Sequence, residues 1–166
     1  MSVTDELIDN NRRWAATFDK GGLSNRPAKK VAIVSCMDAR FLPSRVLGIE
    51  EGDAHIIRNA GGVVTDDEIR SLAISQHLLG TQEIILIHHT NCGLEGISEE
   101  EIRAQLREAA GGIDPPWRIE AFAQVDESVR ESIRRVVESP FIRHKNVRGF
   151  VYDVEDGSLR EVVART

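Results

Sequence analysis

The chain has 166 residues, 41% of them hydrophobic and 29% charged, enough for one domain built around one sizeable core. Its formal net charge of −6 argues against nucleic acid or an anionic membrane surface as the main partner. No apolar run is long enough to span a bilayer, and the opening "MSVTDELIDNNRRW" has early acids and no apolar stretch, so it does not read as a secretory signal.

Residues 4–18 place Leu7, Ile8, Trp14, Ala15 and Phe18 at helical spacing and predict an amphipathic helix. "DKGGLSNRPAKK" is a loop. Val31–Ser35 is an apolar first strand, followed by a short helix around Pro43–Leu47 and a loop that closes at Gly52 and Asp53. "AHIIRNA" is the second strand. "TDDEIRSLAISQHLLG" opens with Thr65 and Glu68 as a capping box and stops at Gly80. "EIILIHH" is the third strand. "SEEEIRAQLREAAGG" is a helix with Ser98 and Glu101 as its capping box, and "GGIDPPW" is a loop. "VDESVRESIRRVVES" is a helix halted by Pro140. "VRGFVYDVEDGSLREVV" gives two strands around Asp156 and Gly157. Strands alternating with helices predict a single α/β domain with a mostly parallel central β-sheet flanked by helices, and a C-terminal antiparallel edge strand. No repeat or interdomain linker interrupts it.

In such sheets, sites form at the carboxyl ends of strands near the point where strand order reverses. Strand one ends in "SCMDAR" and strand three in "HHTNCGLEG". If the two strands are neighbours, Cys36, His89 and Cys92 meet at one edge. Two thiolates and an imidazole form a zinc shell with a fourth position open, and such soft ligands favour zinc over magnesium or calcium. In a reducing cytoplasm, the expected compartment, these cysteines are thiols rather than a disulfide. His89 has the tighter spacing to Cys92, and His88, its strand neighbour, should face the opposite side. His55, His77 and His144 have no motif around them and read as structural or surface residues. Asp38 and Arg40 could be a mere surface ion pair. Beside a metal they do more: Arg40, a planar donor fork, holds the Asp38 carboxylate off the ion, and Asp38 can orient a metal-bound hydroxide. The glycine-rich "RNAGGVV" lacks the phosphate-loop patterns. Gly61 and Gly62 are expected to let backbone pass close to the metal site, with Arg58 and Asn59 supporting that turn.

Cys36-Met37-Asp38-Ala39-Arg40 followed by His89-Thr90-Asn91-Cys92-Gly93, with Arg58–Gly62 between them, resembles the β-class carbonic anhydrases, over about Lys30 to Val163, in the manner of short bacterial-type members. The resemblance implies one Zn²⁺ per chain on Cys36, His89 and Cys92, with Asp38 and Arg40 as the catalytic dyad. Asp38 would serve as a fourth ligand in a closed state. It implies reversible hydration of carbon dioxide to bicarbonate and a proton by zinc-bound hydroxide. It also implies a homodimer or a dimer of dimers, with an apolar substrate pocket shared between subunits. Residues 1–29 would be a helical arm and loop, and residues 30–166 the zinc-binding domain. Phe41, next to Arg40, is a candidate for the pocket wall. Three other readings remain: a carbon disulfide or carbonyl sulfide hydrolase on the same scaffold, a non-enzymatic zinc-binding module, and a metal-free enzyme with a Cys–His nucleophile.

Overall fold

The computed structural model describes residues 2–163; the outermost ends of the two expected segments, residue 1 and residues 164–166, lie outside it. The elements run α1 (Val3–Ala15), β1 (Val31–Cys36), α2 (Pro43–Leu47), β2 (Ala54–Asn59), α3 (Asp66–His77), β3 (Glu83–His89), α4 (Glu99–Ala109), α5 (Val125–Glu138), β4 (Asn146–Tyr152) and β5 (Leu159–Val162). They form one five-stranded sheet in the order β2-β1-β3-β4-β5. The first four strands in that order run parallel, and β5 returns antiparallel to β4.

The central strands β1 and β3 are mostly apolar because both of their faces are covered. On one face, Ala32, Val34, Ile84 and Leu86 pack with Leu72 of α3 and Val129, Ile133 and Val136 of α5. On the other, Val31, Ile33 and Ile87 pack with Phe41, Val46, Leu47 and Leu159. α3 lies on β1 and β2, and α5 on β3 and β4. Gly149 of β4 makes the second contact close: a Cβ there would stand 2.3 Å from Val129 Cγ1.

Helix starts follow their local chemistry. Thr65 and Glu68 form both halves of the expected capping box on α3. At α4 the Ser98 side chain accepts from the Glu101 amide. α1 is shorter than expected, ending at Ala15 rather than Phe18, and none of its residues is buried. Trp14 and Phe18 still meet, with ring centroids 4.8 Å apart. Behind α1 the chain is tied down: Ala28 and Lys29 donate to the Gly52 and Asp53 carbonyls, and Lys20 pairs with Glu51.

Sheet order decides where chemistry can gather. The chain leaves β1 for β2 on one side and places β3 on the other, so strand order reverses between β1 and β3. Both strands end there, in Cys36 and His89.

Candidate metal centre

Cys36 extends β1 by one residue beyond the expected strand and is 5% exposed. His89 closes β3 and is fully buried; Cys92 lies in the turn that follows and is also buried. Their sulfur and ring nitrogen atoms all lie within 4.8 Å of one another. His89 Nδ1 lies 2.9 Å from the Thr90 carbonyl. A carbonyl can only accept, so Nδ1 carries the hydrogen and Nε2 presents a lone pair. That Nε2 is buried and has no hydrogen-bond partner. A buried acceptor left unpaired costs free energy, and its place beside two thiols fits a thiophilic cation such as zinc.

The electrostatics favour one ionised thiol of the pair. The Cys36 thiol is pulled well below its ordinary value, first by a hydrogen bond from Cys92, then by His89 and the backbone N–H groups of Asp38 and Gly61. Cys92 is correspondingly pushed up by its hydrogen bond to Cys36, so the two thiols titrate as a pair. Burial draws the His89 value down, but Cys36, the Thr90 carbonyl and Asp38 outweigh it and leave it raised.

Asp38 Oδ2 lies 3.7 Å from His89 Nε2. Arg40 grips the carboxylate at both oxygens, Nε to Oδ1 at 2.9 Å and Nη2 to Oδ2 at 2.8 Å, and its own amide also donates to Oδ1. Those hydrogen bonds, first among the causes, hold the Asp38 carboxyl well below the usual carboxylate range. Arg40 Nη2 also donates to the Asn91 carbonyl at 2.9 Å. Asn91 has φ of 54°, a left-handed conformation that Asn tolerates better than most residues, and this turns its carbonyl towards Arg40. The dyad is therefore fastened to both metal motifs.

The glycine turn behaves as its sequence implies. Gly62 has φ of 71°, and a Cβ there would stand 2.8 Å from Cys36 N and 2.9 Å from the Ile87 carbonyl oxygen. Only a glycine lets this backbone lie against the ends of both β1 and β3. Asn59 supports the turn as expected, its Nδ2 donating to the Val63 carbonyl at 2.7 Å.

Of the remaining residues, Arg58 and Phe41 depart from expectation, whereas His88, His55 and His77 follow it. Arg58 reaches away from the glycine turn, to carbonyls of the segment that follows Cys36. The sequence signal for this was indirect: a chain leaving a strand without entering a helix has carbonyls that need donors. Phe41 is only 4% exposed and is stacked on Tyr152, so it forms part of the floor under His89 rather than an open wall. His88 is buried on the opposite face against Phe122, and burial lowers its value to about 4. His55 bonds Ser75 and His77 bonds the Phe141 carbonyl, both structural uses.

Residues 31–159 match the carbonic anhydrase family profile. The chain is 52% identical over 163 residues to β-carbonic anhydrase 1 of Mycobacterium tuberculosis, covering 98% of this chain and 99% of that protein. It superposes on a carbonic anhydrase crystal structure from Streptococcus mutans with a TM-score of 0.90 at 42% identity, covering 98% and 99% of the two chains. A carbon disulfide hydrolase of Acidithiobacillus thiooxidans is more distant, 31% identical over 183 aligned positions, covering 96% of this chain and 90% of that one. Sheet order, strand-end chemistry and near full-length similarity agree, and the chain belongs to the β-carbonic anhydrase family.

Proposed function

We propose that this chain catalyses the reversible hydration of carbon dioxide to bicarbonate and a proton, with zinc held by Cys36, His89 and Cys92 and with Asp38 and Arg40 as the working dyad. The observation that carries the reading is the convergence of two thiols and an unpartnered imidazole nitrogen beside an ionised, firmly held carboxylate. When bound, zinc supplies Lewis acidity that brings the pKa of a water towards neutrality.

The chain's own residues do the rest. Two thiolates offset the cation's charge, which eases departure of an anionic product. His89 is kept in one tautomer by the Thr90 carbonyl, so its Nε2 faces the thiols. Asp38 stays ionised across the neutral range, so it accepts a hydrogen bond from the attacking oxygen and orients it rather than storing the released proton. Arg40 prevents that carboxylate from turning onto the metal, 3.7 Å from His89 Nε2 as it already is. A purely structural zinc site would be closed by a fourth strong ligand; here the nearest carboxylate is tied up by a guanidinium.

Carbon dioxide is preferred to carbon disulfide because the carbon dioxide enzyme is the nearer relative, at 52% against 31% identity. Stopped-flow hydration of carbon dioxide by protein of measured metal content tests the reading. Turnover that scales with zinc and with no other metal supports it; zinc-loaded protein that hydrolyses carbon disulfide and leaves carbon dioxide untouched refutes it.

We further infer a homodimer or a multiple of one, with residues 1–29 acting as an arm on the 30–166 domain. In support, Leu7, Ile8 and Trp14 of α1, which buries none of its residues, and Phe18 just beyond it are all about half exposed. β2 is an edge strand with an exposed Ile56, open to a second chain. No helix of the described residues is long and apolar enough to cross a membrane. A cytoplasmic location is consistent with a site that needs both cysteines reduced.

A further inference from the structure

Between Cys36, where β1 ends, and Pro43, where α2 begins, the chain carries both members of the dyad through irregular backbone. Such a segment needs partners for its carbonyls. One side chain supplies three of them. Arg58, on β2 and in register with Ser35, donates from Nε to the Cys36 carbonyl at 3.0 Å. Its Nη2 donates to the Asp38 carbonyl at 2.7 Å and to the Phe41 carbonyl at 3.2 Å. Its guanidinium carbon also lies 5.6 Å from the centre of the Phe41 ring. The segment is also linked to the neighbouring strand by Met37 N–H donating to the Asn59 carbonyl, at 2.7 Å.

The three acceptor carbonyls belong to a metal-facing cysteine, the dyad aspartate and the residue just after Arg40. Fixing their carbonyls fixes the peptide planes that follow Cys36, Asp38 and Phe41, and so holds the backbone on both sides of Arg40. Among the described residues no carboxylate pairs with Arg58, so its charge is directed at carbonyl dipoles and the face of the Phe41 ring. A planar fork can reach three carbonyls at once; a lysine ammonium in the same space is a single point on a flexible stem. We propose that Arg58 is a positioning residue that holds the backbone of residues 36–41 and so sets the aim of the Asp38 carboxylate at the metal centre. This rests on the reading of Asp38 and Arg40 as the working dyad.

The test compares Arg58→Lys with Asp38→Asn in the full-length protein. Four quantities are measured: zinc per chain, melting temperature, kcat and KM separately, and the visible absorption of the cobalt-substituted form, which reports the ligand geometry without turnover. Arg58→Lys should keep one metal per chain and lose at least tenfold in kcat with KM changed less than twofold. Its cobalt spectrum should shift as the carboxylate moves. An unchanged kcat and spectrum, or activity lost only in proportion to zinc, overturns the proposal. If Asp38→Asn keeps full activity, it is the dyad reading that fails, whatever Arg58→Lys does. If Asp38→Asn is inactive while Arg58→Lys matches the parent, only the role of Arg58 fails. Should Arg58→Lys not fold, Arg58→Gln takes its place; failure of both to fold makes Arg58 a purely structural residue and overturns the proposal.

Discussion

Two residues apart in sequence, Asp38 and Arg40 form an ion pair that would be of little consequence on an open surface. Here its value is directional. Arg40 binds both oxygens of Asp38 and the Asn91 carbonyl, so the carboxylate has one orientation beside His89. Arg40→Ala should release Asp38 towards the metal, keep zinc near one per chain, and lower turnover by roughly 10²-fold, the scale seen when one preorganised group is removed. Metal analysis with stopped-flow hydration checks this, and undiminished turnover would reduce the dyad to a surface pair. Because the Asp38 carboxyl is held far down, its own protonation does not shape the activity profile between mildly acidic and alkaline pH. A rise in activity over that interval belongs to the water and the metal ligands.

At the level of elements, the site depends on close approach. The turn after β2 can lie against β1 and β3 only because Gly62 has no side chain and adopts φ of 71°. Gly62→Ala combines left-handed strain with a backbone clash and should cost about 2–4 kcal/mol in urea unfolding. A loss below 1 kcal/mol would mean the turn can move aside. Further from the site, Arg160 of β5 holds Asp126 of α5 with two hydrogen bonds, at 2.7 and 2.9 Å. That contact lowers the Asp126 pKa below its ordinary 3.8. A depressed carboxylate binds fewer protons folded than unfolded, so its contribution is complete above the ordinary value and is lost as pH falls through the folded one. With both partners partly exposed, Asp126→Asn should cost about 0.5 kcal/mol at pH 7 and less near pH 3. Paired denaturation curves at the two pH values measure the difference, and an equal cost at both would assign it to packing instead.

For the whole molecule, α1 is a helix that buries none of its own residues. A helix that exposes Leu7, Ile8 and Trp14, with Phe18 exposed just beyond its end, leaves apolar surface in water. Deleting residues 1–15 should shift the light-scattering mass from a dimer, or a multiple of one, towards a single chain. Zinc content should be retained, since the metal-facing groups all lie on β1, β3 and the turn after it. A truncated protein with unchanged mass would place the association surface elsewhere, the β2 edge being the next place to look.

The sequence by itself determined the order of elements and pointed to the residues proposed to carry the chemistry. Apolar strands, capping residues and glycine stops are local signals, and Pro43–Leu47 and Glu83–His89 fall where local patterning puts them. The thiols, imidazole and carboxylate were also legible, because few residue types bind zinc and each motif follows a strand directly. Only the tertiary structure decided that β1 and β3 are neighbours, which turns two weak motifs into one site. It alone showed Arg58 turned towards the dyad backbone, Phe41 committed to the floor beneath His89, and the Asn91 carbonyl receiving Arg40. These depend on distances between residues far apart in the chain and on side-chain direction. Neither is fixed until the sheet closes and its strands take their register.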